Sequence, residues 1–132
     1  MGNKTKGSNI ERELIQMLWE SGWAPVRVAG SGSAQIPSAD IIAGKNGRVI
    51  IIECKSSISD KIYIEKQRID EFNEFQSRFG AEAWIGARFS RKKWRFLKIS
   101  QLRDSGKNVV IDSQICDREG ILFNELIKEN FI

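Results

Sequence analysis

The sequence predicts an α/β fold in which helices flank a mixed central sheet. Ile10, Leu14, Met17 and Leu18 recur at helical spacing near the start of the chain. Asn46-Gly47 is a two-residue hairpin turn signal between two strand-like stretches. Val49-Ile50-Ile51-Ile52 is β-branched throughout, as expected of a central strand covered on both faces. Helical and strand-like segments then follow in the order α-β-β-β-α-β-β, which indicates a mixed sheet.

Residues 1–7 are polar and basic, with Lys4 and Lys6, and are expected to be loose. Ser8 with Glu11 three residues later reads as a capping box opening a helix over 8–23, which Gly22 would end. Residues 24–29 read as a short strand. The stretch 30–38 is small, polar and glycine-rich, so a mobile loop is expected. Strands follow over 39–45 and 48–55. A second helix is expected over 64–79, ended by Gly80. Residues 82–88 and 93–98 read as strands joined by the basic turn Ser90-Arg91-Lys92-Lys93. A short strand at 109–111 and a short helix at 124–129 complete the reading. Phe72, Phe75 and Phe79 form an aromatic stripe on the second helix, expected to serve as core and partly as a surface shared with a second copy.

The 132 residues fit one domain over 1–132, and hydrophobic residues at 41% suffice for one core. The longest apolar run is far too short to span a bilayer, and no signal-peptide segment opens the sequence, so a cytoplasmic protein with no membrane partner is expected. Cys54 and Cys116 have neither metal-ligand nor redox spacing. There is no histidine, which excludes a Ser-His-Asp triad, a histidine base and histidine-bound zinc. Any hydrolysis must run on carboxylates, lysine and a hard metal ion. The net charge of +4 is compatible with nucleic acid but weak by itself.

The hairpin carries the chemistry. A two-residue turn pairs Lys45 with Arg48 and Gly44 with Val49, which sets Asp40 opposite Glu53. Facing side chains on one sheet face lie about 5 Å apart at Cβ. Two carboxylates so placed repel, and a divalent cation between them removes the conflict. Lys55, two residues after Glu53, shares its face. Such a trio suits phosphodiester hydrolysis, although a surface salt bridge at a strand end is the bland alternative. Glu11 heads an apolar helical stripe. It reads either as the acid of the capping box or as a further site carboxylate.

Asp40 followed by Glu53-Cys54-Lys55 resembles the PD-(D/E)xK nuclease motif. The wider pattern is more specific: Asn9-Ile10-Glu11-Arg12-Glu13-Leu14, then Val26-Arg27-Val28-Ala29-Gly30-Ser31-Gly32-Ser33, then Pro37-Ser38-Ala39-Asp40, and later Trp94-Arg95-Phe96. Over residues 7–98 this is similar to the archaeal-type Holliday junction resolvases. The proline of the motif departs from pattern, since Ala39 precedes Asp40 and the proline is Pro37. The resemblance implies a restriction-endonuclease-like core and a magnesium-dependent endodeoxyribonuclease, manganese substituting, that resolves four-way DNA junctions as a homodimer. It implies Glu11, Asp40, Glu53 and the Cys54 carbonyl as metal ligands and Lys55 as catalytic lysine. Ser31 would belong to a catalytically important loop, and Arg12 and Arg27 would contact phosphates. The rival readings are another endonuclease of the same fold and a DNA-binding module without catalysis.

Overall fold

Asn46 and Gly47 both adopt positive φ, 50° and 86°, as a tight primed turn requires. The turn joins strand β2 (Ile41–Lys45) to β3 (Arg48–Ser57) in the expected register, from Lys45 opposite Arg48 to Ile41 opposite Ile52. In this computed structural model, which describes residues 2–28 and 36–128 (2–8 by backbone alone), β3 is the centre of the molecule. Its other neighbour is β5 (Glu82–Phe89), which runs parallel to it. Strand β1 (Ala24–Arg27) pairs with β2, while β6 (Arg95–Leu97) and β9 (Ile121–Leu122) extend the far side. Among the described residues the order is β1-β2-β3-β5-β6-β9, a mixed sheet as the sequence predicts.

Alternation along β3 divides the core in two. Ile50, Ile52 and Cys54 point to helix α1 (Gly2–Glu20), where they meet Leu14, Leu18, Trp23, Trp94 and Phe96. Gly86, opposite Cys54 in the register, leaves room for this layer. A Cβ there would lie 3.1 Å from Trp94 and 3.2 Å from both Ile52 and Phe96. Ile51 points to the other face, with Ile69 and Phe72 of helix α2 (Lys66–Phe79). Gly80, in the left-handed conformation at φ 77°, ends α2 where the sequence places its end.

The differences from the sequence reading have physical reasons. Helix α1 begins at Gly2, so Ser8 lies inside it and is not an N-cap. Ile64 belongs to strand β4 (Lys61–Glu65), not to the helix. Ile62 and Ile64 are buried in alternation with exposed Lys61, Tyr63 and Glu65, a period of two that the short run hides in sequence. Strand β4 pairs with β8 (Asn108–Asp112), itself paired with β7 (Arg103–Ser105), in a second, three-stranded sheet. Helix α3 (Ser113–Glu119) was also missed by the sequence reading. Its N-cap is Asp112, whose Oδ1 accepts from the N–H groups of Gln114 and Ile115. A short helix α4 (Phe123–Leu126) lies where the last helix is expected. Among the described residues no helix is long and apolar enough to cross a membrane.

Candidate active site

The hairpin delivers Asp40 and Glu53 to one place. Strand β2 starts at Ile41 opposite Ile52, and the N–H of Asp40 still donates to the Ile52 carbonyl at 3.1 Å. This bond is one residue out of the hairpin register, which pairs Ile41 with Ile52, so the strand bulges here and Asp40 lies beside Glu53 rather than squarely opposite it as the turn predicts. There the chain turns, and its carbonyl accepts from Val28 N–H at 2.8 Å. Past this point β3 has lost its backbone partner on that side. Asp40 Oδ2 fills the gap, accepting from Cys54 N–H at 2.9 Å. In an extended strand the N–H and C=O of one residue point the same way, so the Cys54 carbonyl is directed to the same edge. The Cys54 thiol points to the α1 face. Burial, then the charges of Asp40, Glu11 and Glu53, raise its pKa well above the ordinary value and keep it a neutral thiol.

Both acids are shut away from solvent, Asp40 at 7% exposure and Glu53 at 2%. Glu53 is gripped by Arg68 of α2, whose Nε donates to Oε2 at 2.7 Å and Nη2 to Oε1 at 2.6 Å. Burial nonetheless pushes the Glu53 pKa up from 4.5 to about 7, with the Asp40 charge adding to the rise and Arg68 and Lys55 opposing it. Lys55 is half-buried on the Glu53 face of β3 and has no hydrogen bond or ion pair among the described residues.

Glu11 comes from the opposite face of the sheet. It lies on α1 and accepts from Arg27 Nε at 2.9 Å, so it is not the acid of a capping box. Its pKa is raised, first by burial and then by the charge of Asp40, which places it within electrostatic reach of the pair. Arg12, beside it, is exposed. Arg27 is half-buried against Glu11 rather than free at the surface. Ser31 lies outside the described residues. As the side chains stand, no three of the described Asp, Glu or Cys groups converge on one metal position. Each acid is engaged instead: Glu11 by Arg27, Glu53 by Arg68, and Asp40 by a backbone N–H. The donor chemistry still fits a hard divalent cation, because two buried carboxylates and a backbone carbonyl meet at one strand end.

Arg68 is the residue of the candidate site that sequence reasoning missed. Starting the helix at 64 placed it in a second turn, where an arginine is unremarkable. With the helix starting at Lys66, it sits in the first turn, where a cation opposes the helix dipole. That misfit is the signal that was available.

Two buried carboxylates brought together at a hairpin end, with a lysine next on the same strand face, place the fold among nucleases of the PD-(D/E)xK class. The family model for archaeal Holliday junction resolvase (Hjc) matches residues 2–131. The chain is 38% identical over 112 residues to the crossover junction endodeoxyribonuclease Hjc of Archaeoglobus fulgidus, covering 85% of this chain and 82% of that protein. It is 38% identical over 133 residues to the Hjc of Sulfolobus acidocaldarius, covering 97% of this chain and 90% of that one. The crystal structure of Archaeoglobus fulgidus Hjc, described as a Holliday junction resolvase, superposes with a TM-score of 0.82 at 35% identity, over 89% of this chain and 95% of that chain. The chain belongs to the archaeal Holliday junction resolvase family.

Proposed function

We propose that this protein is a divalent-metal-dependent endodeoxyribonuclease that resolves four-way DNA junctions in the cytoplasm by paired phosphodiester hydrolysis. The observation that carries the reading is the closeness of the buried Asp40 and Glu53 carboxylates at the hairpin end, with Lys55 on the same strand as Glu53. Asp40, Glu53 and the Cys54 carbonyl would hold magnesium, with manganese a substitute, and Glu11 would join them by leaving Arg27. A metal ion bound there would polarise a phosphoryl oxygen and lower the pKa of a bound water. Asp40 keeps the strand end closed by capping Cys54 N–H, which fixes its own carboxylate. Glu53 is held in one orientation before substrate arrives. Lys55 places a positive charge beside them, suited to orienting water or offsetting charge that develops on the phosphate. Arg12, exposed on α1, and Arg27, once released by Glu11, would contact phosphates, and Ser31, outside the described residues, would also serve catalysis.

Two equivalent strands must be cut in a junction, which suits a two-fold dimer. Phe72 is fully buried and belongs to the core of its own chain. Phe79, 47% exposed, and Phe75, half-buried with its ring 5.4 Å away, are what α2 offers to a second copy. The test is cleavage of a synthetic four-way junction beside its linear duplex, with and without magnesium, together with the solution mass. Metal-dependent symmetric nicks in the junction alone, from a particle of twice the 15.0 kDa chain mass, are expected. Equal cutting of both DNAs would favour another endonuclease of this fold, and binding without cutting would favour a non-catalytic module.

A further inference from the structure

One arginine engages the carboxylate that a metal ion would need. Arg68 engages both oxygens of Glu53, so neither is left without a cationic partner. Its Nη2 also donates to the Ser38 carbonyl at 3.2 Å, two residues before Asp40. One guanidinium thus ties β3 to the segment that carries the second acid. The stem is anchored as firmly as the head, because Ile69 and Phe72 of the same helix are 7% and 0% exposed. Glu71, 3.8 Å from Nη1, is a weak and half-exposed alternative partner.

Helix stability does not account for this arginine. The first turn of α2 contains Lys66 and Arg68 and no acidic residue, so the positive end of the helix dipole faces further positive charge. The arrangement is tolerable because Glu53 and Asp40 lie opposite. Arg68 supplies at Glu53 what a cation would supply.

We propose that Arg68 is a positioning residue that stands in for the divalent cation, holding Glu53 in place in the metal-free protein and competing with the metal for that carboxylate. The proposal rests on the metal-dependent reading of the site. A guanidinium and a divalent ion on one carboxylate repel each other, so metal binding must loosen or share the Arg68 fork. Arg68 consequently sets the metal affinity below what the carboxylates alone would give. It also prevents two buried acids from lying side by side without a cation.

The test is calorimetric titration of manganese alone into the DNA-free full chain, for wild type, Arg68→Gln and Arg68→Lys, with thermal melting of each in chelator and in manganese. Arg68→Gln is expected to bind manganese at least about 5-fold more tightly than wild type, since a nearby positive charge has gone. Its melting temperature should be lower in chelator and should rise more on adding metal. Arg68→Lys keeps the charge and loses the fork, so it should fall between the two and serves if the glutamine variant does not fold. Equal or weaker manganese affinity in the variants, with wild type binding normally, would overturn the competition and leave Arg68 a scaffold. Absence of manganese binding in wild type and variants alike would instead overturn the metal reading beneath it.

Discussion

Strand β3 carries two forked Arg–Glu pairs, one at its start and one at its middle, and the two behave oppositely. At its start, Arg48 donates through Nε and Nη2 to both oxygens of Glu82 at 2.8 and 2.9 Å, its guanidinium 5.4 Å from the Trp23 ring centre. At its middle Arg68 grips Glu53 in the same way. Yet the Glu82 carboxyl is held below its ordinary value, by the Arg48 hydrogen bonds first, whereas Glu53 is pushed up to about 7. Burial separates them, since the side chain of Glu82 is 37% exposed and that of Glu53 is 2% exposed. The Asp40 charge widens the gap. A bidentate arginine satisfies a carboxylate at the surface but does not fully offset the loss of water around one buried beside another acid. The Arg48 pair is electrostatically complete. The Arg68 pair still favours a further cation.

The strongest separation should appear in catalysis. Asp40→Ala or Glu53→Ala should lower single-turnover junction cleavage by on the order of 10³-fold while retaining junction binding, because affinity comes mainly from basic side chains on phosphates. Glu82→Ala should cut as wild type does. Comparable losses at Glu53 and at Glu82 would erase the distinction.

Stability should separate the pairs by sign. Glu53 binds its proton more tightly in the folded protein, so its contribution to stability is fullest below 4.5 and is lost as pH rises through about 7. Glu82 contributes above its unfolded value of 4.5, and that contribution is lost as pH falls through its lower folded value. In chelator, Glu53→Gln should therefore gain on wild type by up to about 3 kcal/mol between about pH 4.5 and pH 8. Over the acidic range Glu82→Gln should show a deficit that shrinks as pH falls. Urea unfolding across that range reads both, and parallel curves for the two variants would contradict the account.

Two smaller effects sharpen the picture around the site. Lys55→Ala should cost on the order of 10²-fold in turnover with metal affinity retained, since its charge acts on the reacting phosphate. Arg12→Gln should reduce the slope of log affinity for a four-way junction against log salt by roughly 0.9, the signature of one lost phosphate contact. An unaltered slope would remove Arg12 from the interface.

The hairpin that carries the candidate site was the most legible part of the sequence. Asn46-Gly47 dictates its turn and the turn dictates the register as far as Ile41 opposite Ile52, which brings Asp40 close to Glu53; the out-of-register bond from Asp40 to Ile52 was not legible in the sequence. Glu11 was harder, because a serine three residues earlier offers a local explanation. Only the extension of α1 through Ser8 and the contact with Arg27 show where that carboxylate goes. Arg68 could not be placed, since its role depends on where β4 ends and α2 begins. The second sheet was hidden for a similar reason: Ile62 and Ile64 gain meaning as strand residues only when β8, some forty-five residues later, pairs with them. Phe72, in a stripe read as core and partly as a shared surface, is on the core side of that reading, because α2 packs on the face that carries Ile51.

The measurement that bears most directly on the unfinished charge at Glu53 is carbon-detected NMR titration of that carboxyl in the full chain, in chelator and in saturating magnesium. The account predicts titration near 7 without metal, against an ordinary value of 4.5, and a fall below 4.5 with magnesium bound. A Glu53 carboxyl that titrates at or below 4.5 in chelator, and does not move with magnesium, would contradict it.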